Sequence, residues 1–234
     1  MHWPETAEEL VREQERLARV EPPRWGAGPG SLAIGGCFVC FARGPSGPGE
    51  AGDPGWAGAA IVFDGRVVAT AVASGAAGAP YQAGLLALRE GPLLEAAVRA
   101  LQAKPDVLLV NATGRDHPRR AGVALHLGAL LDVPTVGVTH RLLVAEGEWP
   151  ADERGATRPI LVGGERVGSW LRTRAGTRPL AVHSAWRTDP DEAVAVVLAS
   201  LAGTRTPAPL RLARQAARSQ RAGVTSPTGC TGTS

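Results

Sequence analysis

Polar and apolar positions alternate between two periods along this chain, and the order in which the periods change predicts its elements. Residues 6–19 carry Leu10, Leu17 and Ala18 among glutamates and arginines, which predicts an amphipathic helix, and Pro22-Pro23 ends it. Residues 31–41 form an apolar run with strand character, and residues 43–55, rich in Gly and Pro, read as a loop. Ala57–Phe63 and Arg66–Ser74 read as strands joined by Asp64-Gly65, a strong two-residue hairpin signal. Tyr81–Ala103 has helical periodicity through Leu85, Leu88, Leu94, Val98 and Leu101, with a kink or restart expected at Gly91-Pro92. Asp106–Val110 is apolar throughout, as a strand covered on both faces would be. A helix over Ala121–Leu131, a strand over Pro134–Thr139 and a loop over 146–159 come next. Two strands near 160–173 and 179–183 and a helix over 189–202 complete the pattern. Early hairpins followed by helix–strand alternation predict an α/β fold, a mixed sheet with helices on both faces.

Charge changes this picture in one place. The net charge is +3, and Lys104 is the only lysine. From Ala193 onward there is no acid but five arginines, Arg205, Arg211, Arg214, Arg218 and Arg221, so the chain without that stretch would carry −2. Arg211, Arg214, Arg218 and Arg221 are spaced 3, 4 and 3, which places them on one face of a helix. That stripe predicts a nascent helix that binds polyanions weakly and without sequence preference; the alternative is a solvated, disordered tail. The last thirty residues otherwise read as poorly packed.

The three cysteines, Cys37, Cys40 and Cys230, are too few for a disulfide framework. Cys37 and Cys40 sit three apart on a strand, so they point to opposite faces, and no second pair with zinc spacing exists. They read as structural thiols. The N-terminus bears Glu5, Glu8 and Glu9 rather than a basic stretch before an apolar one, and no apolar run approaches the ~18 residues of a membrane span. A cytoplasmic protein with no membrane partner is expected.

Three segments carry a resemblance. The first is Pro80-Tyr81-Gln82-Ala83-Gly84-Leu85-Leu86-Ala87-Leu88-Arg89-Glu90-Gly91-Pro92. The second runs from Asn111 through Gly114, His117-Pro118-Arg119-Arg120 and Gly122 to Gly128, and the third is Leu131–Val138. In this order they resemble the endonuclease V family, over about residues 30–200. The resemblance implies a ribonuclease H-like fold, with an endonuclease V-like domain over 1–203 and a basic, flexible extension over 204–234. It implies magnesium as cofactor, and DNA or RNA containing inosine as partner. The implied activity is phosphodiester cleavage near deoxyinosine in DNA repair.

Carried over residue by residue, the resemblance assigns Pro80-Tyr81 as a wedge that occupies the place of a flipped base. Gly114 would approach that base, and Arg119 and Arg120 would contact phosphates. Glu90 and Asn111 would hold the metal, while His117 and His140 are further catalytic candidates. Here the family's pattern breaks. Its first-strand aspartate falls on Phe38, its second aspartate on Asn111, its lysine on His140 and its late histidine on Trp186. Magnesium needs several hard oxygen ligands, and only Glu90 remains among the principal acids. Asp116 and His117 could recruit a metal between them, or form a structural turn. These replacements argue against full nuclease activity. The alternatives are a catalytically silent nucleic-acid-binding homologue and a protein-interaction module that reuses the fold. Phe38, Glu90 and Asn111 are expected to meet in one cleft. Oligomeric state is not legible.

Overall fold

The computed structural model describes residues 2–28, 30–42 and 48–225. Cys230 and the end of the expected extension lie outside the described residues, as does part of the 43–55 loop. Helix α1 spans Ala7–Arg19. A capping box starts it: Glu9 N–H donates to Thr6 Oγ1 at 3.2 Å, and Thr6 N–H to the Glu9 carboxylate at 3.4 Å. Leu10, Gln14 and Leu17 form its buried face.

Strands β1 (Ile34–Phe41), β2 (Pro54–Phe63) and β3 (Arg66–Ala76) form an antiparallel meander. Asp64 (φ 48°) and Gly65 (φ 72°) both take the positive φ that a tight hairpin requires. Helix α2 (Leu86–Arg99) comes next, then β4 (Val107–Val110), α3 (Val123–Leu131) and β5 (Thr135–Thr139). The expected break at Gly91-Pro92 is absent, and Pro92 lies inside one continuous helix. Gly91 is needed there for another reason: a Cβ on it would lie 2.6 Å from the Trp3 indole, which packs against the helix.

The single strand expected over 160–173 is two strands, β6 (Thr157–Val162) and β7 (Glu165–Leu171), turned at Gly163 (φ 59°) and Gly164 (φ 81°). Strand β8 (Leu180–Ser184) and helix α4 (Pro190–Ala199) come after them. The eight strands form one sheet in the order β3-β2-β1-β4-β5-β8-β7-β6. β1, β4 and β5 are mutually parallel, and the remaining neighbours are antiparallel. α2 and α3 cover one face over a core that includes Cys37, Leu94, Leu108, Val110 and Leu125. The other face packs Val136, Leu180 and Val182 against Val196, Val197 and Leu210. This is the expected ribonuclease H-like mixed sheet with helices on both faces. Among the described residues no helix is long and apolar enough to cross a membrane.

The C-terminal reading requires correction. Helix α5 (Ala208–Thr225) is not a loose extension; Ala208, Leu210, Ala213 and Ala217 are buried against the sheet. The contact is close because β1 and β2 offer glycines. A Cβ at Gly36 would fall 2.6 Å from Leu210 N, and one at Gly58 only 2.2 Å from Ala213 O. Small residues on both sides let the backbones meet along Ala213 and Ala217, and Leu210 is the one large apolar side chain that α5 sets into the core.

Candidate nucleic-acid site at the ends of the parallel strands

The parallel strands β1, β4 and β5 run in the same direction, so their C-terminal ends share one edge, where ligands of open α/β sheets commonly bind. Cys37 pairs with Val110 across β1 and β4, and Asn111 N–H donates to Cys37 O at 3.3 Å. Phe38 and Asn111 therefore occupy adjacent positions. Asn111 Nδ2 donates to Val138 O at 3.1 Å, which ties it to β5, and His140 lies one residue past β5. Phe38 and Asn111 thus lie in a row with Val138 across three strand ends, and His140 stands two residues farther along the same edge.

Beside this row lies a pocket of about 180 Å³ whose lining includes Gln14, Tyr81, Gly84, Asn111, Thr113 and His117. Its wall is fixed by one carbonyl. Gly84, at φ 79°, presents its oxygen to three side chains. Arg119 Nη2 donates to it at 2.8 Å, His117 Nε2 at 3.1 Å and Gln14 Nε2 at 3.2 Å. The His117 tautomer is set by its other nitrogen, since Nδ1 accepts from Arg119 N–H at 3.2 Å. Burial, with Arg119 nearby, depresses His117 to about 4, so the ring is neutral. Arg119 also donates from Nε to Gln14 Oε1 at 2.7 Å. Pro80 and Tyr81 stand exposed at the mouth, with Tyr81 half accessible.

Several predicted site residues have other surroundings. Gly114 does not line the pocket: a Cβ on it would lie 2.2 Å from Ser184 O, so its missing side chain makes room for β8. Asp116 is fully buried and accepts backbone N–H groups from Leu143, Val144 and Ala145 at 2.8–2.9 Å. It pins a loop rather than sharing a metal with His117. Arg120 donates to Val162 O at 2.7 Å and pairs with Glu165 at 3.1 Å. It lines a larger cavity of about 600 Å³ that also holds Arg115, Arg166 and Arg187.

Trp186 is at the wrong end of the sheet for the expected role. β8 is antiparallel to β5, so the segment after β8 lies by the start of β5. Trp186 O accepts from Thr135 N–H at 3.0 Å. Thr135 and His140 are five residues apart along the chain, roughly 16 Å on a parallel strand.

Glu90 reaches β1 from the side covered by α2, beside Cys37, whose thiol is pushed up by burial and by the Glu90 charge. Burial raises the Glu90 carboxyl to about 7, with Arg89 opposing. Phe38 faces the opposite side of the sheet, toward α5. The guanidinium carbons of Arg214 and Arg218 lie 5.1 Å and 5.9 Å from its ring centre. The expected meeting of Phe38, Glu90 and Asn111 therefore holds for Phe38 and Asn111 as neighbours, while Glu90 comes to β1 from the other side. Sequence reasoning does not find Arg214 on Phe38; the stripe of arginines is visible in the sequence, its partner is not.

His140 is flanked by cations as well. Arg205 Nη2 donates to its Nδ1 at 3.2 Å. Burial, then Arg205 and Arg214, hold its pKa below the ordinary histidine range.

A family model described as Endonuclease V matches residues 49–215. The chain belongs to the endonuclease V family. An endonuclease V of Streptomyces avermitilis is 38% identical over 215 residues, covering 90% of each chain. The crystal structure of endonuclease V from that organism superposes with a TM-score of 0.82 at 34% identity, covering 96% of both chains. A Ciona intestinalis endonuclease V, crystallised with a 24mer DNA containing an inosine, shares the fold at a TM-score of 0.77 and 19% identity, over 94% of this chain and all of that one.

A divalent ion does not fit the endonuclease V site as this chain builds it. Among the described residues no three His, Cys, Asp or Glu side chains are grouped to hold a metal. Phe38 offers no ligand atom, and guanidinium groups stand over its ring. Glu90, raised by burial, approaches β1 from the side away from Phe38 and is the only one of the family's principal acids that remains.

Proposed function

We propose that this chain recognises inosine-containing DNA or RNA and cleaves it weakly or not at all. The observation that carries the reading is the pocket of about 180 Å³ between the exposed Tyr81 and Asn111. It is smaller than the ~300 Å³ at the low end of ordinary ligand clefts, a size suited to one base rather than a whole nucleotide. An exposed aromatic at the mouth can take the place of a base that has left its stack, which offsets part of the cost of flipping. The Gly84 carbonyl, held by three donors, keeps the pocket wall in place before a base arrives. Membership of the endonuclease V family supports nucleic acid as the partner, and the Ciona relative's inosine-containing DNA supports the substrate class. Weak catalysis is expected from Phe38 and Asn111, since phosphodiester hydrolysis in this fold relies on carboxylate-held metal to activate water and stabilise the leaving oxygen.

The test is binding of otherwise identical single-stranded oligonucleotides with inosine or adenine at one position, with cleavage measured in magnesium and in manganese. Preference for inosine with little cleavage supports the reading. Equal affinity for the two strands, or turnover of roughly 1 per second or faster, overturns it.

A further inference from the structure

The family's metal position carries the opposite charge preference in this chain. Phe38 stands where the resemblance puts the first aspartate, and Arg214 and Arg218 project from α5 over its ring. Arg205 reaches the same edge through His140, at 3.2 Å. Among the described residues none of Arg205, Arg214 and Arg218 is paired with a carboxylate. Arg214 Nε is buried with no hydrogen-bond partner. Its pKa is lowered by burial and then by Arg218, and that of Arg205 by burial, Arg178 and Arg214. Like charges are therefore held together at a partly desolvated edge with one buried, open donor, an arrangement that an anion relieves and a cation aggravates. Guanidinium groups suit phosphate oxygens, which they can bind in pairs of parallel hydrogen bonds.

We propose that the strand-end site of this chain is a metal-free phosphate clamp, in which Arg214 and Arg218, seated on Phe38, and Arg205 beside His140 bind the backbone phosphate of a nucleic-acid strand. This rests on the reading that the chain binds nucleic acid, and assigns a different job to the edge beside the base pocket. The clamp would hold a strand in register with the pocket and leave the phosphodiester intact, because guanidinium groups neutralise the phosphate but do not activate water.

The experiment uses full-length protein and fluorescence anisotropy with inosine-containing and inosine-free single-stranded DNA, in EDTA and in magnesium at matched ionic strength. Wild-type affinity should be the same in both. The double variant Arg214→Gln/Arg218→Gln should lose on the order of tenfold in affinity for both strands alike. Its log–log salt slope should fall in magnitude by about 1.4, at ~0.7 per lost contact. Arg218→Gln alone changes an exposed side chain, so its fold is safe, and it should lower the slope by about 0.7. Arg214→Lys/Arg218→Lys should keep most of the slope. Binding abolished by EDTA, or wild-type affinity and slope in both Gln variants, overturns the clamp. Loss of the inosine preference is a separate readout: a wild-type affinity ratio of one between the two strands defeats the base-recognition reading, whereas the slope change alone decides the clamp.

Discussion

His117 donates its Nε2 proton to the carbonyl oxygen of Gly84 at 3.1 Å, across 33 residues of chain. The bond joins the loop after β4 to the loop that carries Tyr81. Removing it leaves a buried carbonyl with two donors of three and leaves Arg119 N–H without its acceptor. His117→Ala should cost about 1–2 kcal/mol of stability in denaturant unfolding. It should also lower the inosine-to-adenine affinity ratio more than overall affinity for single strands. An unchanged ratio would mean the loop needs no such anchor.

Two other histidines set a pH limit. His126 and His183 are fully buried, and burial depresses both to about 4, with Glu13 opposing for His126 and Asp116 for His183. A histidine with a folded pKa below its unfolded value of ~6.5 binds fewer protons when folded. Its contribution is therefore complete above about pH 6.5 and is lost as pH falls toward 4. Stability should drop steeply across that window. His126, packed at 4.4 Å against the tilted Trp3 ring with neither ring nitrogen bonded, gives the cleaner test. His126→Leu should stabilise the protein at pH 5 by on the order of 2 kcal/mol and flatten the slope. A variant with the wild-type pH profile would count against this account.

Restoring the nuclease should depend on the strand ends rather than the linear motif. Phe38→Asp with Asn111→Asp and His140→Lys should give measurable metal-dependent cleavage when Arg214→Gln is added, and less without it. Trp186→His, after β8 and beside the start of β5, should add nothing in any background. Single replacements should do little, since groups of one catalytic site act as a unit. Rescue by Trp186→His would contradict the placement of that residue.

Gly58 sits under Ala213 O, 2.2 Å from where a Cβ would be. Gly58→Ala should destabilise by about 1–3 kcal/mol or more, as other overpacked cores do. A chain ending at Gly203 should melt far lower or aggregate, because Gly36, Gly58 and their neighbours would lose their cover. If that truncation melts like the full chain, α5 is not part of the core.

How much is legible in the sequence depends on how large each signal is. Asp64-Gly65 announces its hairpin because few residue pairs accept two positive φ values in succession. Gly163-Gly164 carries the same information, but the segments on its two sides, Ile160–Val162 and Val167–Leu171, run together into one expected strand. α5 does not read as core because Leu210 is the only large apolar residue on its buried side, and the rest of that side, Ala208, Ala213 and Ala217, carries little hydrophobic pattern. Their partners, Gly36 and Gly58, carry none. The motif misplaces Trp186 for a topological reason: a match in chain order says nothing about which end of a sheet an antiparallel strand delivers it to. The arginine spacing does mark one helical face, yet that face runs along the edge of β1: Arg214 and Arg218 lie over Phe38 and Arg221 Nη1 donates to Phe41 O at 3.4 Å, while Arg211 and Arg218 stay exposed.

The glycine notch under α5 also sets the thermodynamic character of those cations. Arginines on a disordered tail would have to be ordered at each encounter, and much of the attraction would go into that ordering. Here folding has already fixed the helix that bears them, at a distance from the sheet that only a missing side chain permits. Association should therefore lack the large ordering entropy and heat-capacity change of coupled folding. The electrostatic field at this edge is a rigid property of the native state, as constant as the strand register beneath it.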